Sequence, residues 1–141
     1  MIQRIQTLYL FLVVVLGVLL CFFAPVTYVY PENLTIGELQ VFSKWPLAVI
    51  TIAIPLIAAV DIFLFKHRIL QARVNIVNAF LCIGWYAICF VYVWFEKQNF
   101  NVDWYVTIWA AIPLVCLVLT MMAVRRILRD EALVRAADRI R

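Results

Sequence analysis

One acid interrupts the long apolar runs of this chain. Asp61 is the only Asp, Glu, Lys or Arg clearly within a stretch long enough to cross a membrane. A carboxylate in that setting has two uses. It pairs with a basic neighbour such as Arg68, or it serves a proton or solute site open to one side of the bilayer. His67, six residues on, is placed to exchange protons with it. Partners for Asp61 are legible from spacing. Gln71, Asn75, Asn78 and Cys82 fall at i, i+4, i+7 and i+11, which is one face of a helix. Gln6, Tyr9 and Thr120 lie at a similar depth on other segments. Polar groups in hydrocarbon turn toward a bundle interior. Gln6, Asp61, Asn75, Asn78 and Thr120 therefore read as one buried polar layer.

Other chemistry is scarce. The single Ser, Ser43, and the single His, His67, fall on opposite sides of the membrane, so neither a Ser–His nor a Cys–His pair forms within one chain. Three glycines, Gly17, Gly37 and Gly84, make no phosphate loop. Cys21, Cys82, Cys89 and Cys116 all lie within apolar runs and contain no CxxC, so they read as small buried hydrophobes. Cys82 and Cys89 share a helix face, but no further ligands with metal spacing accompany them. One His excludes a bis-His haem. No catalytic residues and no cofactor are expected.

The elements that hold these residues follow from composition. Of 141 residues, 67% are hydrophobic and 14% charged, against roughly 45–50% and about 25% in soluble domains. A crossing helix needs about 20 apolar residues. Four spans fit, near 6–24, 47–65, 74–95 and 104–124. The second needs Ile62, Phe63, Leu64 and Phe65 beyond Asp61 to reach full length. No small-x-small cleavage site follows Phe23, so the first span reads as a retained helix.

Basic residues alternate between the ends of these spans. Arg4, Lys66, Arg68, Arg73, Arg125, Arg126, Arg129, Arg135, Arg139 and Arg141 lie at one side; Lys44 and Lys97 lie at the other. Positive loops stay in the cytoplasm, which puts both termini there and turns the loops near 25–46 and 96–103 outward. Tyr28, Tyr30, Phe42, Trp45, Trp94, Phe95, Trp104 and Tyr105 cluster at the outer ends, as interfacial aromatics do. In the first outer loop, Thr35-Ile-Gly-Glu38 matches a capping box and predicts a short interfacial helix over 36–43. Asn33-Leu-Thr35 matches a glycosylation acceptor, a weak pattern.

The second and fourth spans resemble each other. Ala53-Ile-Pro-Leu56 answers Ala111-Ile-Pro-Leu114, and twelve residues separate each Pro from an Arg-Ile-Leu. At this offset of 58, residues 53–73 and 111–131 share eight identities. Spans one and three align more weakly at an offset of 69. A duplicated helical hairpin explains the pattern, its symmetry axis along the membrane normal. Pro55 and Pro113 are both expected to kink their helices near mid-span, freeing the carbonyls of Thr51 and Trp109.

Residues 125–141 contain good helix formers and continue the fourth span. Ile127, Leu133, Val134, Ala137 and Ile140 share one arc, and Glu131 to Arg135 is a favourable i,i+4 pair. Arg126, Arg129, Asp130, Glu131, Arg135, Asp138 and Arg139 interleave both signs of charge. A plain membrane-binding helix carries few acids. This tail is suited to salt bridges with the bundle underside or with a protein partner. Its basic surface follows from topology, and nucleic acid is not expected.

Two stretches carry a resemblance: Met1-Ile-Gln-Arg-Ile-Gln-Thr-Leu-Tyr9, and Arg129-Asp-Glu-Ala-Leu-Val-Arg-Ala-Ala-Asp-Arg-Ile-Arg141. The chain resembles a family of bacterial four-helix membrane proteins, the domain of unknown function 4293, known mainly from the Bacteroidetes. Ala136 stands where that family often has Ser. The resemblance implies a bacterial inner membrane and supplies no activity. The expected fold is an all-α four-helix transmembrane bundle of two repeated hairpins, with a cytoplasmic amphipathic helix at 125–141. Two functions are open. One is a non-enzymatic scaffold or accessory subunit of a membrane complex, docking a partner through its basic cytoplasmic face or the outer aromatic rim, with the lipid bilayer, other membrane proteins or further copies of itself as partners. The other is a small oligomeric carrier or channel, proton-linked through Asp61.

Overall fold

Backbone donors and acceptors cannot be left bare in hydrocarbon, so long apolar runs become helices. Four such helices appear among the residues described by the computed structural model, which are 2–32, 35–65 and 67–140. The side chains of 2–4, 138 and 140 are outside that description. Asn33, Lys66 and Arg141, and the side chains of Arg4, Asp138 and Ile140, therefore lie outside the described residues.

In chain order the elements are α1 (Ile2–Phe22), β1 (Val26–Tyr30), β2 (Thr35–Glu38), a 3-10 turn (Val41–Ser43), α2 (Trp45–Phe63), α3 (Arg68–Phe100), β3 (Asp103–Val106), a second 3-10 turn (Ile108–Ala111) and α4 (Ile112–Ile140). Every one of the four helices is long and apolar enough to span a membrane. At 1.5 Å per residue, α3 and α4 are about 50 and 43 Å long, so both outrun a hydrocarbon layer of about 30 Å. Each helix packs chiefly on its neighbours in the order α1–α2–α3–α4, and α4 closes back on α1.

Local sequence sets the ends. Pro25 follows the end of α1, and Pro46 occupies the first turn of α2, where a missing N–H costs nothing. α3 stops at Asn101, whose φ of 49° is left-handed and whose N–H reaches the Lys97 carbonyl at 3.0 Å. Asn tolerates that conformation better than most residues.

The two loops between helices at this end fold together. β1 pairs antiparallel with β2 (Thr27 opposite Glu38) and with β3 (Thr27 opposite Tyr105), giving the order β2-β1-β3. The Thr107 N–H closes on the Pro25 carbonyl at 3.0 Å, and the Leu39 N–H on Val26 at 2.8 Å. The sheet thus joins the α1–α2 and α3–α4 connections and fixes which helix ends lie together.

This sheet corrects the expectation at 36–43. Thr35 to Glu38 is a strand, and only Val41–Ser43 turns helically. Val, Thr and Tyr in β1 are strong strand formers, and pairing with β1 overrides a three-residue capping pattern. The fourth span also begins later than 104, because Asp103–Val106 is β3.

Pro113 is a second correction. It stands in the first turn of α4, directly after the 3-10 turn, not in mid-helix. There it costs no helical hydrogen bond. The Trp109 carbonyl is taken by the Ile112 N–H. Pro55 does lie inside α2 and is buried. Gly17 of α1 meets it: a Cβ added at Gly17 would come within 2.9 Å of the Pro55 Cδ. Only a glycine permits this approach, a small-residue contact of the kind that holds helices together in lipid.

Candidate functional site

Asp61 sits two residues from the end of α2, fully buried. Facing it, α3 buries Gln71, Asn75, Asn78 and Cys82 along one stripe. Continuing that stripe are Trp85, Cys89 and Val93, so one face of α3 changes from polar to apolar along its length.

The contacts are specific. Asn75 Nδ2 donates to Asp61 Oδ2 and, at 3.3 Å, to the Gln71 carbonyl. Gln71 Nε2 donates to the Asp61 carbonyl at 3.1 Å, and so does the Leu64 N–H that caps α2. Two side chains of α3 thus clasp the last turn of α2. Among the described residues no cation reaches Asp61, so the expected pairing with Arg68 does not form.

Four atoms of this cluster have no partner among the described residues: Asp61 Oδ1, Asn75 Oδ1, and both Asn78 Oδ1 and Nδ2. With Asp61 ionised, three of them accept and one donates. The cluster is short of donors, the opposite of what a salt-bridged acid would show.

Gln6 and Thr120 are buried but do not join Asp61. Gln6 Nε2 donates to Asp130 of α4, which ties the start of α1 to the tail. Thr120 donates to the Cys116 carbonyl of its own helix at 2.6 Å. The polar residues therefore form two bonded groups, Asp61 with Gln71 and Asn75, and Gln6 with Asp130.

Spacing gave no sign of two further polar links. Trp85 Nε1 donates to Thr51 Oγ1 at 2.9 Å, and that hydroxyl donates to the Leu47 carbonyl at 2.7 Å. Tyr86 enters the helical ladder at the start of α4. Its hydroxyl donates to the Ala110 carbonyl at 2.6 Å and accepts from the Leu114 N–H at 3.1 Å. Either link needs a partner more than twenty residues away.

At the sheet end, Lys44 meets Glu96 at 3.5 Å and lies over the Tyr92 ring. Tyr28 is almost fully buried in β1. Burial first, then the Glu96 charge, pushes its phenol well above the ordinary range.

In the tail, Ile127 is buried and Asp130 half-buried, while residues 132–137 are all exposed. Leu133 and Val134 share that exposure, so the expected arc does not dock on the bundle beyond Glu131. Arg126, Arg129 and Arg139 are also exposed. The ion pair among the described tail residues is Glu131 with Arg135, at 3.1 Å.

A four-helix bundle with membrane-length helices, a small sheet at one end and a projecting helix at the other defines the class: an integral membrane protein. The chain belongs to the family described as Domain of unknown function (DUF4293), whose model matches residues 2–140. No curated protein and no solved structure matches it.

Proposed function

We propose that this protein is a non-enzymatic scaffold or accessory subunit of a membrane complex, docking its partner through the projecting end of α4. The observation that carries this reading is the exposed run at 132–137. Apolar Leu133 and Val134 stand open there, beside Arg135 and the exposed Arg126, Arg129 and Arg139. Half-buried Asp130 and Glu131 at its root add the opposite charge. A helix with both signs of charge and an open apolar strip suits another helix better than a bare lipid surface.

Orientation belongs to the same proposal. The end away from the sheet carries the arginines of α3's start and α4's tail, so it faces the cytoplasm of a bacterial inner membrane. The hairpins α1–α2 and α3–α4 descend from one duplicated unit, and the different settings of Pro55 and Pro113 are later divergence. No nucleic acid is involved.

The test is the mass and composition of the complex taken from native membranes in a mild detergent or polymer disc. A larger assembly with defined partners, lost on deleting 132–141 while the bundle stays folded, supports the proposal. A lone monomer or homo-oligomer overturns it.

The donor shortage at Asp61 favours one second reading, a small oligomeric carrier that moves a proton through this cluster. Asp61→Asn separates the two. A carrier loses transport while assembling normally; a scaffold keeps its partners.

A further inference from the structure

The start of α3 and the tail of α4 enclose a cleft of about 640 Å³ at the end away from the sheet. Arg68 and Arg73 line one wall, with the His67 ring beside them. Among the described residues, neither arginine has an ion-pair partner. The acid on the opposite wall, Glu131, is already engaged by Arg135. Positive charge in the cleft is therefore unbalanced.

The backbone adds to it. α3 opens here with no side-chain cap and no acid in its first turn. The positive end of a 33-residue helix meets the same space. Oxyanions bind at such ends, and arginine forks match phosphate oxygens in pairs.

A free anion would leave half of the cleft unexplained. Ile69, Leu70 and Val134 also line it and are 43%, 48% and 44% exposed. The apolar span of α2 ends at Phe63 and α3 begins at Arg68, so the cleft lies where apolar surface gives way to charge. That is the level of the lipid headgroups. A ligand here needs an anionic head and an apolar body.

We infer that this cleft seats the head of one anionic phospholipid, its phosphate against Arg68, Arg73 and the first turn of α3, the glycerol end of its chains against Ile69, Leu70 and Val134. Basic pockets between crossing helices bind such headgroups. A protein docked on α4 would compete for Val134, whereas Arg68 and Arg73 belong to α3, so the site is that of the chain without its partner.

Native mass spectrometry of the full chain, stripped of lipid in detergent, tests it. The chain is offered phosphatidylglycerol or phosphatidylcholine with identical acyl chains at equal concentration. The wild type should retain phosphatidylglycerol at least about tenfold better. R68Q/R73Q should lose that preference, and R68K/R73K should keep most of it. Val134→Trp fills the cleft from the other wall without touching α3, and should lose it too. This last variant decides the matter if R68Q/R73Q fails to fold. Equal retention of the two lipids by the wild type, or undiminished preference in Val134→Trp, overturns the site. Displacement by excess inorganic phosphate assigns the cleft to a free anion and overturns the lipid.

Discussion

Among the described residues Asp61 is buried without a cation, and its carboxylate has one bonded oxygen and one without a partner. Because the cluster is short of donors, an amide at position 61 is well suited to it. Asp61→Asn keeps an acceptor for Asn75 and adds a donor for the open Asn oxygens. Its stability in detergent should stay within about 1 kcal/mol of wild type or rise. Asp61→Leu removes the acceptor and strands the Asn75 amide, which should cost about 1–3 kcal/mol. Denaturation of purified protein checks both, and a large loss in the Asn variant would show that the charge itself is needed. Much of this site is legible in sequence: the i, i+4, i+7 spacing of Gln71, Asn75 and Asn78 places them on one face. The pairing of Gln6 with Asp130 is not, because nothing local says which buried polar groups share a level across helices.

At the scale of elements, two junctions set the bundle. Where α1 crosses α2, Gly17 lies against the Pro55 ring. Gly17→Ala must push the helices apart or displace the ring, which should cost about 1–3 kcal/mol despite the better helix propensity of Ala. If the variant is instead more stable, the two helices have room to spare. Where α3 meets the start of α4, the Tyr86 hydroxyl bridges Ala110 and Leu114. Tyr86→Phe should cost about 1–2 kcal/mol, limited because Leu114 can then relax toward Ala110 itself. Unfolding in the same detergent reads out both. Hydropathy alone locates the helices, since an apolar run in lipid has no alternative to helix. The sheet escapes the same reading. Val26-Thr-Tyr-Val-Tyr30 is both a strand pattern and an interfacial aromatic cluster, and its pairing with Asp103–Val106 joins segments more than seventy residues apart.

For the whole molecule, the sheet gathers one end while α4 leaves the bundle at the other, and the point of departure is sharp. Ile127 is 1% exposed and Asp130 takes the Gln6 amide, whereas residues 132–137 are exposed throughout. Two truncations therefore separate folding from docking. Ending the chain after Glu131 removes side chains that touch little, so stability should change by less than about 0.5 kcal/mol. Ending it after Val124 also removes the buried Ile127 and the Gln6–Asp130 bond. Together these should cost about 3 kcal/mol, from one buried aliphatic side chain and one hydrogen bond to a charged group. If α4 docks a partner through its projecting end, the shorter deletion abolishes co-purification while the melting curve is unchanged. Should that deletion destabilise the bundle as much as the longer one, the tail is a structural brace rather than a docking arm, and the search for a partner moves to the sheet end.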